Sequence, residues 1–365
     1  MRLKDYPEIV LDDIPKLYES HIKVFITHLY GLEEKVDRLP KQFCKMYTLQ
    51  PIATQLLHYL RSRSANISEQ DFHIVKNSEP FTVRLSDGKR LEMMLCAGNE
   101  LENALMLLIR KLHGERLLYY YSAVQQDDLC KLMGNASYQK WIAQGTEVLF
   151  LNLQAVDQTF KHIDFEEVAK AITKNEQTVL KIPLLGYEYL IRRLAQTATL
   201  YGHISLKGNY LESYKSLSPD LRHFEQPGYK VTVLVKSPFD GPDKLYPLEK
   251  LQWSPVPNRI NLIQLCSLLR PLHIHGIVTF HANGIVPPAP QYLKRFRFNY
   301  SPRSVVPEME VHVPETQLIE LSTEKAAQSP AKSQQGGTTP SKDPIVLSKQ
   351  RKLVFVDYDD DDEDL

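Results

Sequence analysis

Three histidines fall within ten residues, Leu272-His273-Ile274-His275-Gly276-Ile277-Val278-Thr279-Phe280-His281. Side chains on a strand alternate between faces. His273, His275 and His281 then share one side, and Ile274, Val278 and Phe280 the other. Two imidazoles at i and i+2 can hold one metal ion, which makes His273 and His275 the candidate metal ligands. A structural reading competes, because two histidines on the wet face of a strand need no ligand. A second segment, Tyr292-Leu293-Lys294-Arg295-Phe296-Arg297-Phe298-Asn299-Tyr300, also alternates. As a strand it places Arg295, Arg297 and Asn299 on one face and Phe296, Phe298 and Tyr300 on the other. With Lys294 and Arg303 beside them, these cations suit the phosphates of a nucleic acid. The same pattern fits a half-buried strand with solvated arginines.

The His-Ile-His triplet resembles the His-hydrophobe-His strand of the HUH nucleases, the relaxases and rolling-circle initiators. That resemblance implies a metal on His273 and His275 polarising a DNA phosphate, and a tyrosine attacking it. Tyr292 or one of Tyr119, Tyr120 and Tyr121 would be the nucleophile. The adjacent acids Asp127/Asp128 and Glu166/Glu167 read as helix starters rather than acid–base pairs. No dinucleotide, Walker, nucleophile-elbow or zincin motif is present, and no cofactor is expected.

The C-terminal stretch 321–365 has a different composition. A Ser/Thr/Gln/Gly/Pro-rich run carries Ser329-Pro330-Ala331-Lys332 and Thr339-Pro340-Ser341-Lys342. Both resemble the Ser/Thr-Pro-x-Lys consensus of cyclin-dependent kinases, which implies phosphorylation of Ser329 and Thr339 and places the protein in the nucleus under cell-cycle control. The cytoplasm is the alternative compartment. Such a run cannot bury a core, and each phosphate would add about −1.5 to −2 charges to it. The chain then passes Lys349-Gln350-Arg351-Lys352 and Leu353-Val354-Phe355-Val356. It ends in Asp357-Tyr358-Asp359-Asp360-Asp361-Asp362-Glu363-Asp364-Leu365. The end resembles the acidic tails of bacterial single-stranded-DNA-binding proteins, with Leu365 as its only hydrophobic tip and without their final Pro-Phe. It also resembles the acidic tails of histone-binding and chromatin proteins. Asp359 to Leu365 are therefore the expected partner-binding residues.

The net charge of zero conceals this asymmetry. Residues 1–320 carry 38 basic and 35 acidic residues, 321–356 six basic against two acidic, and 357–365 seven acids. Charge blocks of this kind mark interaction tails. The composition, 43% hydrophobic and 24% charged, is that of a folded soluble protein. Cys44, Cys96, Cys130 and Cys266 are scattered without metal or redox spacing, which fits a reduced intracellular compartment. Neither a signal peptide nor a membrane-spanning run is expected.

The elements that must position these residues follow from periodicity. Tyr18, Ile22, Phe25, Leu29, Leu32 and Val36 are spaced 4,3,4,3,4 and predict a helix over 14–36, either packed on its own domain or free to dock. Pro51 opens a second helix to Arg63, with Ile52, Leu56, Leu57 and Leu60 on its apolar face. Residues 81–85 and 91–95 flank Asp87-Gly88 as a β-hairpin. A helix is expected from Asn99 to Leu112, strands over 117–122 and 148–153, and a helix between them. Residues 165–206 read as helical with a break at Pro183. Strands are expected at 229–236, 272–281, 293–300 and 309–313, and a helix at 258–269. The fold class is α+β: a helix-rich region 1–216, a mainly β region 229–315 of the same or a second domain, and a disordered linker and acidic tail 321–365.

Function follows the charge blocks. The expectation is a non-enzymatic interaction or adaptor subunit in nuclear DNA metabolism or chromosome maintenance, with protein partners in a multi-subunit complex and DNA as a second partner class. The alternatives are the HUH-like nuclease and a structural subunit with no nucleic-acid contact.

Overall fold

A computed structural model describes residues 1–3, 5–36, 39–111, 114–122, 134–143, 145–158, 163–174, 178–224, 229–236, 253–277 and 289–299. It is a mixed α/β structure with three sheets. The described residues lie within one unit, Met1–Val306. Arg303, Ser329, Thr339, the acidic end, Cys130, His281, Asp127/Asp128 and the strand expected at 309–313 all lie outside the described residues.

The first sheet contains β1 (Arg2–Leu3), β2 (Tyr6–Leu11), β3 (Lys23–Phe25), β4 (Lys45–Thr48) and β5 (Phe72–Ile74), in chain order. From β2 to β5 the pairing is parallel. Parallel neighbours need crossovers, and α2 (Gln50–Ser62) supplies the one between β4 and β5. The second sheet runs β14-β10-β9-β8-β7-β6. Its members are β6 (Phe81–Arg84), β7 (Arg90–Ala97), β8 (Leu105–Arg110), β9 (Arg116–Tyr120), β10 (Val148–Leu151) and β14 (His273–Gly276). The expected hairpin is β6–β7, and Gly88 at φ 84° provides the positive φ its turn requires.

The two faces of this second sheet feed two cores. Leu91, Met93, Leu95, Leu107, Ile109, Leu117 and Tyr119 pack with β2–β4 and α2. Met94, Cys96, Met106, Leu108, Leu118, Tyr120, Leu149 and Leu151 pack with Tyr138 and Trp141 of α3 (Ala136–Ala143) and with Leu262, Leu265 and Cys266 of α7 (Arg259–Leu269). Burial on both faces explains the near-continuous apolar run at 105–109.

A third core surrounds the parallel sheet β11 (Thr178–Ile182), β13 (Val231–Val235) and β12 (Ile204–Leu206), ordered β11-β13-β12. Around it lie α4 (Phe165–Ile172), α5 (Glu188–Ala195) and α6 (Gly208–Leu217). Helix α2 packs against α6 and so ties this lobe to the first sheet.

Several expectations change. Residues 14–36 are not one helix: they form β3 and the short α1 (Leu32–Lys35) joined by loops. Ile22, Phe25, Leu29, Leu32 and Val36 are buried, and no docking stripe results. The helix expected from Asn99 is absent over 99–111: the Asn99 side chain accepts from Leu101 N and Asn103 N, but in a turn that leads into β8. Helical spacing and a doubly buried strand are indistinguishable in such an apolar run. Residues 165–206 include β11 and β12, and 293–299 contains the end of α8 (Gln291–Lys294) rather than a strand. The expected split into a helix-rich first and strand-rich second region is not seen. Among the described residues β1 to β12 all lie before residue 207, and β13 and β14 alternate with helices after it.

Candidate functional site

The β3 chain leaves the first sheet at Thr27-His28 and crosses to the second. Leu105 N donates to Thr27 O at 2.9 Å, and His28 forms an isolated antiparallel bridge with Ala104. Here an acid and a histidine meet inside the protein. Asp12 follows the last residue of β2 and adopts φ 49°, a left-handed conformation that aspartate tolerates better than most residues. Its Oδ1 accepts from Thr27 N at 2.6 Å and its Oδ2 from Thr27 Oγ1 at 2.7 Å. The His28 Nε2 lies 3.4 Å from Asp12 Oδ2, with both side chains 3% exposed. The Tyr119 hydroxyl donates to the same carboxylate. Burial first, and then the Asp12 charge, push the Tyr119 and Tyr121 pKa values up, so both phenols stay protonated. The Tyr121 ring stacks on His28 with centroids 3.9 Å apart and planes 12° apart.

His28 also lines a small, partly open pocket with Tyr30, Asn99, Asn103, Ser122, Tyr189 and Trp253. An Asp–His pair beside a serine could arm a nucleophile, but the Ser122 hydroxyl donates to Pro255 O at 3.0 Å instead. The Asp12 carboxylate is committed to backbone and side chains of its own fold. Among the described residues the pocket wall combines aromatic rings with amides and carries no lysine, arginine or carboxylate.

Behind the pocket lies a second buried acid. Glu188 is 1% exposed. Its Oε1 accepts from Gln55 Nε2 at 2.7 Å, and its Oε2 from Gly186 N at 2.9 Å and Asn103 Nδ2 at 3.3 Å. Gln55 also donates to Ser213 Oγ at 3.1 Å. The network therefore joins α2, α5, α6 and the β7–β8 turn at the seam between the lobes. Burial raises the Glu188 pKa from its ordinary 4.5 to about 7, against the lowering effect of its hydrogen bonds. Below pH 4.5 both folded and unfolded states hold the proton, and above about 7 neither does. Between these limits the folded state binds more protons, so stability falls as pH rises. At about 1.4 kcal/mol per pKa unit the loss is about 3 kcal/mol. Glu188→Gln should flatten this part of the profile. Urea unfolding of both proteins across the window checks it, and equal slopes would remove Glu188 from the effect.

The residues singled out from the sequence fall elsewhere. His273 and His275 do share the exposed face of β14, an edge strand paired in parallel with β10. Their ring centroids are 6.4 Å apart. Among the described residues no group of three or more His, Cys, Asp or Glu is arranged to hold a metal ion. Tyr119 and Tyr120 are buried in opposite cores, and Tyr121 stacks on His28. The Tyr292 hydroxyl donates to Val156 O at 2.9 Å. Lys294 ends α8, Arg295 follows it, and Arg297 Nε donates to Leu272 O at 2.6 Å. Glu166 and Glu167 stand in the first turn of α4, as expected of helix starters, and Asp164 before them is its cap. Glu166 also holds Ala198 N and Thr199 N.

Asp12, His28 and Glu188 were missed by sequence reasoning. A usable signal existed for one pair: Thr27-His28 interrupts the apolar stretch Val24-Phe25-Ile26 and Leu29. Buried polar groups require partners, so such an interruption marks an internal network.

No family model matches this chain, and no curated protein does. Among solved structures it is similar to a protein of unknown function from Enterococcus faecalis V583, at 11% identity and a TM-score of 0.46, over 72% of this chain and 76% of that one. It is similar to the isothiocyanate hydrolase from Delia radicum gut bacteria at 16% identity and a TM-score of 0.23, over 36% and 49% of the two chains. Similarity to Zn2+-bound PqqB from Methylobacterium extorquens has 14% identity and a TM-score of 0.24, over 52% and 55%. The chain spans about half the length of these last two proteins.

Proposed function

We propose that this chain is a non-enzymatic interaction subunit of nuclear DNA metabolism or chromosome maintenance, regulated through Ser329, Thr339 and the acidic end 357–365. The observation that supports a binding rather than a catalytic role is the commitment of Asp12 to Thr27, His28 and Tyr119, which leaves the acid–histidine pair holding the sheet junction together. The charge blocks of the C-terminal stretch support a regulated, acidic docking segment for protein partners. The test is co-purification of the tagged full-length protein from its native cell, beside a form lacking 321–365 and one with Ser329→Ala and Thr339→Ala. The reading expects chromosomal proteins that are lost or reduced with the deletion. An unchanged partner list removes the role of the tail, and a list without chromosomal proteins removes the assignment to DNA metabolism.

A second reading, the HUH-like nuclease, draws on His273 and His275 facing solvent together. It expects divalent metal in the purified protein and DNA nicking, both lost in His273→Ala with His275→Ala. A metal-free, inert wild type ends it.

A further inference from the structure

The end of α7, the edge strand β14 and the chain leaving α8 converge on one surface. Arg270 caps α7 in a left-handed conformation, φ 44°, and is exposed. It is followed directly by Pro271 and Leu272, and then by the exposed His273 and His275. The chain after α8 is pinned beside them: Phe298 N donates to Pro271 O at 3.1 Å, and Arg297 Nε to Leu272 O at 2.6 Å. The Arg270 guanidinium then lies over the Phe298 ring, 6.0 Å from its centroid. The His273 and His275 ring centroids lie 6.4 Å apart, and burial first, then His273 and Arg297, lower the His275 pKa. Two features of this surface call for an occupant. Phe298 is 65% exposed, the second most exposed large apolar side chain described, after Leu17. Among the described residues Arg270 and Arg297 form no ion pair with a carboxylate.

We propose that Arg270, His273, His275, Arg297 and Phe298 form a docking surface for single-stranded nucleic acid. Arg270 and Arg297 would neutralise backbone phosphates, His273 and His275 would donate hydrogen bonds to them, and the Phe298 face would stack on a base. An exposed aromatic ring flanked by arginines that lack acidic partners is the combination single strands require. A duplex keeps its bases stacked and offers that ring nothing. An acidic peptide satisfies the arginines and leaves the exposed ring without a role. The surface also gives His273 and His275 a function on β14 that needs neither a metal nor a third ligand. This inference goes beyond the proposed adaptor role, since it concerns direct contact by the folded part of the chain.

The test is fluorescence anisotropy of the purified full-length protein with a labelled oligothymidylate of about 16 nucleotides, long enough for a typical single-strand site, across a salt series. The wild type should bind at low salt, and its affinity should fall as salt rises. Phe298→Ala should weaken binding roughly tenfold without changing the salt slope, because stacking releases no counterions. Arg270→Glu with His273→Glu should weaken binding at least as much and flatten the slope. All three side chains are exposed, and unchanged thermal unfolding of each variant confirms its fold. Absence of binding by the wild type overturns the proposal, as does binding that both variants retain. Preference for a poly-glutamate peptide over the oligonucleotide overturns it in favour of an acidic protein partner. The deciding comparisons are between substitutions at residues 270–298 in proteins that share the same tail, so they are separable from the co-purification result.

Discussion

Gly186→Ala is expected to destabilise the fold by about 3 kcal/mol, from two causes that add. Gly186 sits at φ 95°, a conformation L side chains rarely adopt. A Cβ there would also lie 2.8 Å from the Tyr30 Cβ, 2.9 Å from its Cδ2 and 3.0 Å from its Cα. The last atom is backbone and cannot rotate away, so Tyr30→Ala should fail to rescue the variant. Gly88→Ala separates the causes. Gly88 is at φ 84° with nothing within 4 Å of an added Cβ, and should lose only about 1 kcal/mol from backbone strain. Chemical denaturation of the three proteins reads the differences, and equal losses for the two glycine variants would dismiss the contact with Tyr30. The consequence extends to the pocket: Gly186 N also donates to Glu188, so the close approach positions the buried acid as well.

Asp12→Ala should cost about 3 kcal/mol or more, measured in the same way. It removes the acceptor for Thr27 N and Thr27 Oγ1, both buried, and the partner of His28 and Tyr119. A buried donor left without a partner costs about 1–3 kcal/mol, and several are orphaned at once. Asp12→Asn should lose less, because its amide oxygen still accepts from Thr27 N. If alanine and asparagine proved equally mild, the carboxylate would not be what secures the crossing between the two sheets. The pair would then be available for chemistry, and the case for a binding rather than a catalytic role would weaken.

Local patterns were readable where one residue's backbone chemistry decides the outcome. Pro51 in the first turn of α2, Asp87-Gly88 in the β6–β7 turn, and Asn258 accepting from Ile260 N and Asn261 N at the start of α7 stand where the sequence places them. The apolar residues at 22–36 and 101–109 are buried as their composition predicts, but apart from α1 they are not helical. Burial follows from composition, whereas the choice between helix and strand in a doubly buried segment is made by its neighbours. The 293–300 alternation failed for a related reason. Over the described residues 292–299 the arginines and aromatics are sorted by contacts with α7 and the chain after it, with Arg259 4.3 Å from the Tyr292 centroid and Phe298 N donating to Pro271 O, and not by a strand's pleat.

The candidate site depended still more on tertiary structure. His273 and His275 could be placed on one face from their spacing alone, since period two is a property of any strand. What stands beside them could not. Arg270 and Phe298 are 28 residues apart in the chain, and Gln55 and Glu188 are separated by 133. The amino-acid sequence by itself determined the charge blocks, the capping and turn residues, and which side chains must leave water, because these depend on each residue and its near neighbours. Only the tertiary structure decided that Asp12 meets His28 and that Glu188 is buried at the seam of two lobes. Hydrogen bonds and desolvation act through space, and the separations along the chain carry no record of them.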